Sequence, residues 1–214
     1  MKPTSYEIEF ANELIERLMQ HHLKEGLQYC QNLNREVLRW YEWVDNFRSA
    51  FNGTNFYSGA TKICIEDKRL GDWVLKVGFD RSTCEYYREH GNADDYCELE
   101  MENYQKACKE NFGKYFAETY FFKEVDGVKF FWQEKVRLDE DSLDKCSSEY
   151  CAVDSYFDEL DDDDRIMSLY GDSEEVNEFI DFLDDNGIND LHSENWGWTK
   201  DGRVVAIDYS GYHG

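Results

Sequence analysis

INDLHSENWGWTKDGRVVAIDYSG, residues 188–211, contains two apolar runs separated by a turn signal. The run Val204–Ile207 is typical of a buried strand, and the run Trp196–Thr199 is typical of a shorter one. Lys200-Asp201-Gly202 between them favours a hairpin turn, because glycine tolerates the positive φ that such turns need. The pattern therefore predicts an antiparallel β-hairpin.

Three oxygen-bearing side chains are expected at the open end of this hairpin. In an antiparallel hairpin the residue that enters the first strand lies close to the residue that leaves the second, so Asn195 is expected near Asp208. Asp190 lies just upstream in the same loop. Carboxylate and amide oxygens suit Mg²⁺ bound together with phosphate, and one carboxylate is left to act as a general base.

Two motifs in this stretch resemble those of a known enzyme superfamily. DLHSEN, residues 190–195, resembles the catalytic loop Asp-Leu-x-x-x-Asn of protein kinase-like phosphotransferases. DYSG, residues 208–211, resembles their metal-binding Asp-Phe-Gly. The histidine at position 192, His192, inside the first motif, resembles the aminoglycoside and choline kinase branch of the superfamily. The order and joint spacing of the two motifs carry the resemblance.

The resemblance implies ATP and Mg²⁺ as cofactors and a role for each polar residue of the hairpin mouth. Asp190 is expected to take the proton of the acceptor hydroxyl. Asn195 and Asp208 are expected to bind the metal ion.

A lysine lies inside an apolar run earlier in the chain. Trp73–Val77, WVLKV, is predicted to form a hairpin with the strand around Ile63–Ile65. Lys76 in such a strand is costly to bury unpaired, so it either extends from an edge or is held for a purpose. The resemblance implies that Lys76 binds the nucleotide phosphates, since Val74-Leu75-Lys76 resembles the strand pattern Val-Ala-x-Lys. GTNFYSG, residues 53–59, is a poor match to the glycine-rich phosphate loop.

Residues 94–110 are predicted to form a helix, because the segment is rich in helix-forming residues and lacks Pro and Gly. In the superfamily a glutamate of this helix pairs with the strand lysine. Glu100 is our first choice for that partner of Lys76, and Glu98 is the alternative.

Two further strands, Tyr115–Phe122 and Val128–Val136, are predicted on either side of the turn signal Asp126-Gly127. They complete a mostly antiparallel sheet. By resemblance, the main chain of Gln133-Glu134-Lys135 would form an interlobe hinge that binds the adenine edge of a nucleotide.

The expected fold is α+β, a protein kinase-like two-lobe fold in a minimal, C-terminally truncated form that ends at Gly214. Residues 51–137 would form the N-lobe, an antiparallel sheet with one helix. Residues 138–214 would form a reduced helical C-lobe that carries the hairpin. Residues 1–50 would be an N-terminal helical segment.

Helix signals are clear near both ends of the chain. Thr4 and Glu7 form a capping-box pattern before an apolar stripe, and Gly26 is expected to interrupt or end that helix. A second stripe, from Val37 to Phe47, has the same period. Residues 139–173 are acidic and are expected to be irregular, whereas Glu174–Leu183 has the pattern of an amphipathic helix.

Composition limits the partners and the compartment. The formal net charge of −24 disfavours nucleic acid and anionic membranes and favours a basic protein partner or none. Seven cysteines without a Cys-x-x-Cys pair suit free thiols, and no long apolar run is present, so a cytoplasmic location is expected. Two function classes follow: a phosphotransferase that binds ATP and Mg²⁺, or a non-catalytic pseudokinase or acidic inhibitor module on the same scaffold.

Overall fold

The computed structural model describes residues 2–27, 45, 47, 49–58, 61–80, 95–137, 160–189, 191 and 195–211. The chain forms two compact units. The first comprises Met1–Leu99 and Thr119–Glu134, and the second comprises Glu100–Glu118 and Lys135–Gly214. The chain therefore passes between the two units more than once.

A five-stranded antiparallel sheet is the main element of the first unit. Its strands follow the order β1-β2-β3-β5-β4, and every neighbouring pair is antiparallel. This arrangement confirms the expected α+β class and the expected antiparallel sheet. The strands are β1 (Thr54–Ser58), β2 (Lys62–Asp67), β3 (Trp73–Gly78), β4 (Thr119–Val125) and β5 (Val128–Glu134).

One face of this sheet is covered by the N-terminal helix α1 (Ser5–Gln20). Leu75 of β3 lies between Ile65 of β2 and Trp132 of β5, and all three are part of the apolar core. Strand residues alternate between the two faces, so the register places Lys76 on the opposite face, between Cys64 and Phe131. The register thus separates Lys76 from the core that packs on α1.

The start of α1 matches its sequence signal, and its end does not. The Thr4 N–H donates to Glu7 Oε2 (2.6 Å) and the Glu7 N–H donates to Thr4 Oγ1 (3.3 Å), which completes the capping box. The chain turns after Gln20, where His22 has a left-handed φ of 63°. Gly26 lies inside the next short helix, α2 (Leu23–Leu27), so the expectation that Gly26 interrupts or ends the helix is wrong.

Helix α3 (Tyr96–Lys109) begins in the first unit and continues into the second. The second unit also contains α4 (Asp162–Tyr170), α5 (Glu174–Asp185), β6 (Trp196–Trp198) and β7 (Val204–Ala206). The expectation of irregular structure through residue 173 is wrong for α4, because the Asp161 side chain accepts from the Asp164 N–H (2.9 Å) and caps a helix there. Residues 139–159 and the stripe at 37–44 lie outside the described residues.

Stacked aromatic rings form the core of the second unit. Tyr115 stacks on Phe179 of α5 with ring centroids 4.2 Å apart, and Phe116 contacts Tyr209 at 4.8 Å. Phe116 also makes an isolated parallel bridge to Ala206 of β7. These contacts hold the segment after β7 against the segment after α3.

No helix in the described part of the chain is long and apolar enough to cross a membrane.

Candidate functional site

The hairpin expected at residues 196–207 is present in the second unit. Trp196 pairs with Ala206 and Trp198 pairs with Val204. The Thr199 N–H donates to the Arg203 carbonyl (2.9 Å), and Gly202 in the turn has a φ of +87°. A left-handed glycine at this point is the conformation that the turn signal predicts.

The pairing continues for one residue beyond the two strands, at the open end of the hairpin. The Ile207 N–H donates to the Asn195 carbonyl (2.8 Å), so Asn195 lies opposite Ile207 and one position from Asp208. Asn195 is buried and Asp208 is half-buried. The structure therefore places Asn195 and Asp208 at adjacent positions of the two paired chain segments, as antiparallel pairing requires.

Asp208 belongs to a segment that is tied down by the residue after it. Tyr209 is fully buried, and its hydroxyl donates to the Ala117 carbonyl (2.7 Å). The Tyr209 carbonyl accepts from Asn103 Nδ2 of α3 (2.9 Å). The Ser210 hydroxyl lies 3.3 Å from Asp208 Oδ1 and donates to it. The DYSG segment is thus anchored through its tyrosine, while its aspartate stays partly accessible.

The expected base, Asp190, lies outside the described residues, as do residues 192–194. Its neighbour Leu191 is buried, and the Leu191 carbonyl accepts from Trp196 Nε1 (2.9 Å). Ile188 on the other side of Asp190 is buried as well. The chain on both sides of Asp190 is therefore packed into the unit that contains Asn195 and Asp208.

Lys76 lies in the first unit on β3, the central strand of the sheet. Its side chain is buried, with 5% of the residue exposed. A buried ammonium on a central strand does not extend from a sheet edge, so that alternative is excluded. Burial of a charge without a partner is costly, which leaves the alternative that Lys76 is held in place by polar interactions.

The two glutamates considered as partners of Lys76 differ in environment. The Lys129 ammonium of β5 donates a hydrogen bond to the Glu98 carboxylate in an ion pair, and this hydrogen bond raises the pKa of Lys129. Glu100 is fully buried. Glu98 therefore pairs with a different lysine, and the pairing of Lys76 with Glu100 stays a prediction.

The predicted adenine-binding residues are at the end of β5. Gln133 pairs with Val74 on one side and Thr119 on the other, and its Nε2 donates to Thr119 Oγ1 (3.0 Å). Glu134 pairs with Trp73 and is the last residue of the strand. Lys135 follows it and is the first residue of that segment of the second unit. The side chain of Gln133 therefore packs within the sheet, and the adenine-binding role of the three residues stays a prediction.

Asn103 is a residue of this region that the sequence-based selection of site residues missed. Buried residues of α3 recur at helical spacing, and Asn103 lies in that series; the series is Tyr96, Glu100, Asn103 and Ala107. A polar residue at a position of the buried stripe is the signal that could have found it, because such a residue needs a hydrogen-bond partner.

The sequence matches no protein-family model and no curated protein. The resemblance to protein kinase-like phosphotransferases therefore rests on the motifs and their positions alone.

Proposed function

We propose that this protein is an ATP- and Mg²⁺-dependent phosphotransferase of the protein kinase-like superfamily, with an acceptor still to be identified. The observation that carries the proposal is the backbone hydrogen bond from Ile207 to Asn195, which brings Asn195 close to Asp208. Mg²⁺ in nucleotide sites is usually bound by one or two protein oxygens, and phosphate and water supply the rest. One amide and one partly accessible carboxylate suit that requirement.

The remaining polar residues take the roles that the resemblance implies. Asp190 is the base that accepts the proton of the acceptor hydroxyl, and its position five residues before Asn195 matches the catalytic-loop motif. Lys76 binds nucleotide phosphates, and its burial on a central strand supports a held rather than a solvent-exposed ammonium. The pairing of Lys76 with Glu100 remains a prediction for mutagenesis.

Phosphoryl transfer depends on positioning and on neutralisation of charge, and it needs little covalent chemistry from the protein. In this scheme Asp208 and Asn195 would hold Mg²⁺, which would supply positive charge to the nucleotide phosphates. Asp190 orients the attacking hydroxyl. The anchored tyrosine after Asp208 supports the scheme, because a metal ligand is effective only when its main chain is fixed.

A second candidate is a non-catalytic pseudokinase or inhibitor that binds a basic protein. The supporting observations are the net charge of −24 and a helix, α5, whose acidic side chains are all exposed. A dense negative surface accelerates and selects the association of basic partners. The exposed acids of α5 are Glu174, Glu175, Glu178, Asp181, Asp184 and Asp185.

Thermal unfolding with ATP, in the presence and absence of Mg²⁺, tests the proposal on the wild type and on Asp208→Asn. Wild type at a ligand concentration of about 100 Kd should gain about 2.7 kcal/mol in unfolding free energy. Asp208→Asn should lose the part of this gain that depends on Mg²⁺, because an amide is a weaker metal ligand than a carboxylate. Asp201→Asn, an exposed aspartate in the turn of the same hairpin, is the matched control and should respond like the wild type.

Equal stabilisation by ATP with and without Mg²⁺, in the wild type and in Asp208→Asn alike, would contradict the metal assignment. Assays of ATP turnover on the same wild-type samples then separate the two candidates. Turnover that requires Mg²⁺ supports the enzyme, and tight Mg²⁺-ATP binding without turnover across a broad panel of acceptors favours the pseudokinase.

A further inference from the structure

Asp208 is flanked by two hydrogen bonds that fix the main chain on either side of it. On one side the Ile207 N–H donates to the Asn195 carbonyl (2.8 Å). On the other side the Tyr209 carbonyl accepts from Asn103 Nδ2 (2.9 Å). The first bond belongs to the hairpin, but the second comes from a helix side chain that is distant in sequence.

Tyr209 makes further contacts besides the hydrogen bond that its carbonyl accepts from Asn103. The Tyr209 hydroxyl donates to the Ala117 carbonyl (2.7 Å), and the Ala117 N–H donates to the Ala206 carbonyl (2.9 Å). Phe116 contacts the Tyr209 ring. The side chain and the main chain of Tyr209 are therefore held by different residues, and Asn103 holds the main chain.

Asn103 is 5% exposed and lies three residues after Glu100, on the same buried stripe of α3. Its amide is directed at a carbonyl in a buried environment. Removal of the donor leaves that carbonyl without its side-chain hydrogen bond, and a buried acceptor that loses its partner favours rearrangement of the chain. Asp208 directly precedes Tyr209 in the chain, so a shift of the Tyr209 main chain would displace it as well.

We propose that Asn103 is a positioning residue that holds Asp208 in its metal-binding geometry through the main chain of Tyr209. This inference rests on the proposed function, because it assigns Asn103 to the metal site of that function. Asn103 does not touch the metal or the nucleotide in this scheme. It acts on metal affinity by restricting where the Asp208 carboxylate lies, since a ligand displaced by about 1 Å binds poorly.

The test is Mn²⁺ binding in the presence of ATP, measured by electron paramagnetic resonance on the wild type and on Asn103→Leu. Leucine has a similar volume and suits a helix interior, so the substitution removes the amide with little change in packing. Metal affinity should fall about tenfold, which corresponds to the loss of one well-placed hydrogen bond. Affinity for ATP without metal should change less than about twofold, because Asn103 affects only the metal ligand.

Asn186→Leu is the matched control. Asn186 Nδ2 also donates to a main-chain carbonyl in the second unit, that of Phe182 (2.8 Å), but this carbonyl belongs to α5 and not to the DYSG segment. A purely structural effect would lower unfolding stability in both variants and leave metal affinity alike in both. A selective loss of metal affinity in Asn103→Leu supports the positioning role.

Asn103→Ala, which removes the amide donor, suits a helix interior and buries no charge, replaces Asn103→Leu if the leucine variant does not fold, with the same expected loss. Wild-type metal affinity in a folded variant would overturn the inference and leave the proposed function standing. No binding of Mn²⁺ with ATP to the wild type would overturn the proposed function, and the inference with it.

Discussion

The ion pairs Asp67–Arg69 and Asp201–Arg203 have the same Asp-x-Arg spacing and very different burial. The Asp67 side chain is fully buried and accepts hydrogen bonds from Arg69 Nη2 (2.6 Å) and from the Thr54 hydroxyl (2.8 Å). Asp201 also pairs with the arginine two residues later, Arg203, and with a threonine hydroxyl, but its side chain is 65% exposed. Solvent screens the second pair, so only the first is expected to contribute strongly to stability.

Asp67→Asn should therefore lower the free energy of unfolding by about 2 kcal/mol at pH 7, because charge-assisted hydrogen bonds are lost in a buried place. Asp201→Asn should cost less than about 0.5 kcal/mol. Urea unfolding of both variants and the wild type measures the two differences. Equal losses in the two variants would show that burial does not control these pairs.

The Asp67 pair also predicts a pH dependence. Burial alone would raise the pKa of Asp67, but hydrogen bonds from Arg69 and Thr54 outweigh it, and the pKa lies below its ordinary value. A lowered folded-state pKa contributes stability above the unfolded value of about 3.9, and this stability is lost as pH falls through the folded pKa. The difference between the wild type and Asp67→Asn should therefore shrink below about pH 4.

At the scale of the element, the start of α3 contains a carboxylate, that of Asp95, whose pKa is raised, whereas the pKa of Asp67 is lowered. Asp95 precedes the helix, and its Oδ1 accepts from the N–H groups of Cys97 (3.0 Å) and Glu98 (3.3 Å). Gly78 makes room for it, because a Cβ on Gly78 would lie 2.6 Å from Asp95 Oδ1. Burial raises the pKa of Asp95, even though the two backbone donors favour the charged form.

Asp95→Asn should be as stable as the wild type or more stable at pH 7, because asparagine caps a helix equally well and carries no charge to bury. A raised folded-state pKa means that ionisation costs stability as pH rises above the unfolded pKa of about 3.9. Any advantage of Asp95→Asn should therefore disappear below that pH.

Asp95→Ala is the control for the cap itself and should be about 1 kcal/mol less stable than Asp95→Asn at every pH, because neither variant carries a charge at this position. Denaturant unfolding between pH 3 and pH 8 on the three proteins gives the measurement. If Asp95→Asn had as low a free energy of unfolding as Asp95→Ala at pH 7, the charge of Asp95 rather than its hydrogen bonds would be the essential property of the cap.

At the scale of the whole molecule, the dominant feature is a net charge of −24. Ion pairs such as Lys129 with Glu98 and Lys114 with Glu175 neutralise individual acids. They leave a large excess of negative charge on the chain. Self-repulsion of that excess destabilises the folded state at low ionic strength.

The melting temperature should therefore rise when NaCl is increased from about 10 mM to about 1 M, since the Debye length falls from about 30 Å to about 3 Å. If screening raises the free energy of unfolding by about 1 kcal/mol, the melting temperature of a chain of this size rises by about 2–4 °C. KCl at equal ionic strength should give the same shift, because screening does not depend on the identity of the cation. A fall in melting temperature would mean that attractive ion pairs outweigh the repulsion.

Local signals in the sequence determined the secondary structure of most described segments. The capping box of Thr4 and Glu7, the apolar run around Leu75 and the turn glycine Gly202 each depend on residues close in the chain. Helix and strand propensity and turn conformation act over that range, so these elements and the α+β class could be predicted. The break at His22 and the helix α4 were missed, because local caps and turns there outweighed the glycine and charge patterns.

Contacts between residues distant in sequence were decided only by the tertiary structure. Asn103 and Tyr209 are 106 positions apart, and Ala117 and Tyr209 are 92 apart. The ion pair between Glu98 of α3 and Lys129 of β5 is likewise a contact between separate elements. Sequence patterns specify which face of an element is buried, but which partner meets a buried polar group depends on how the elements pack, because hydrogen bonds require atoms within about 3 Å.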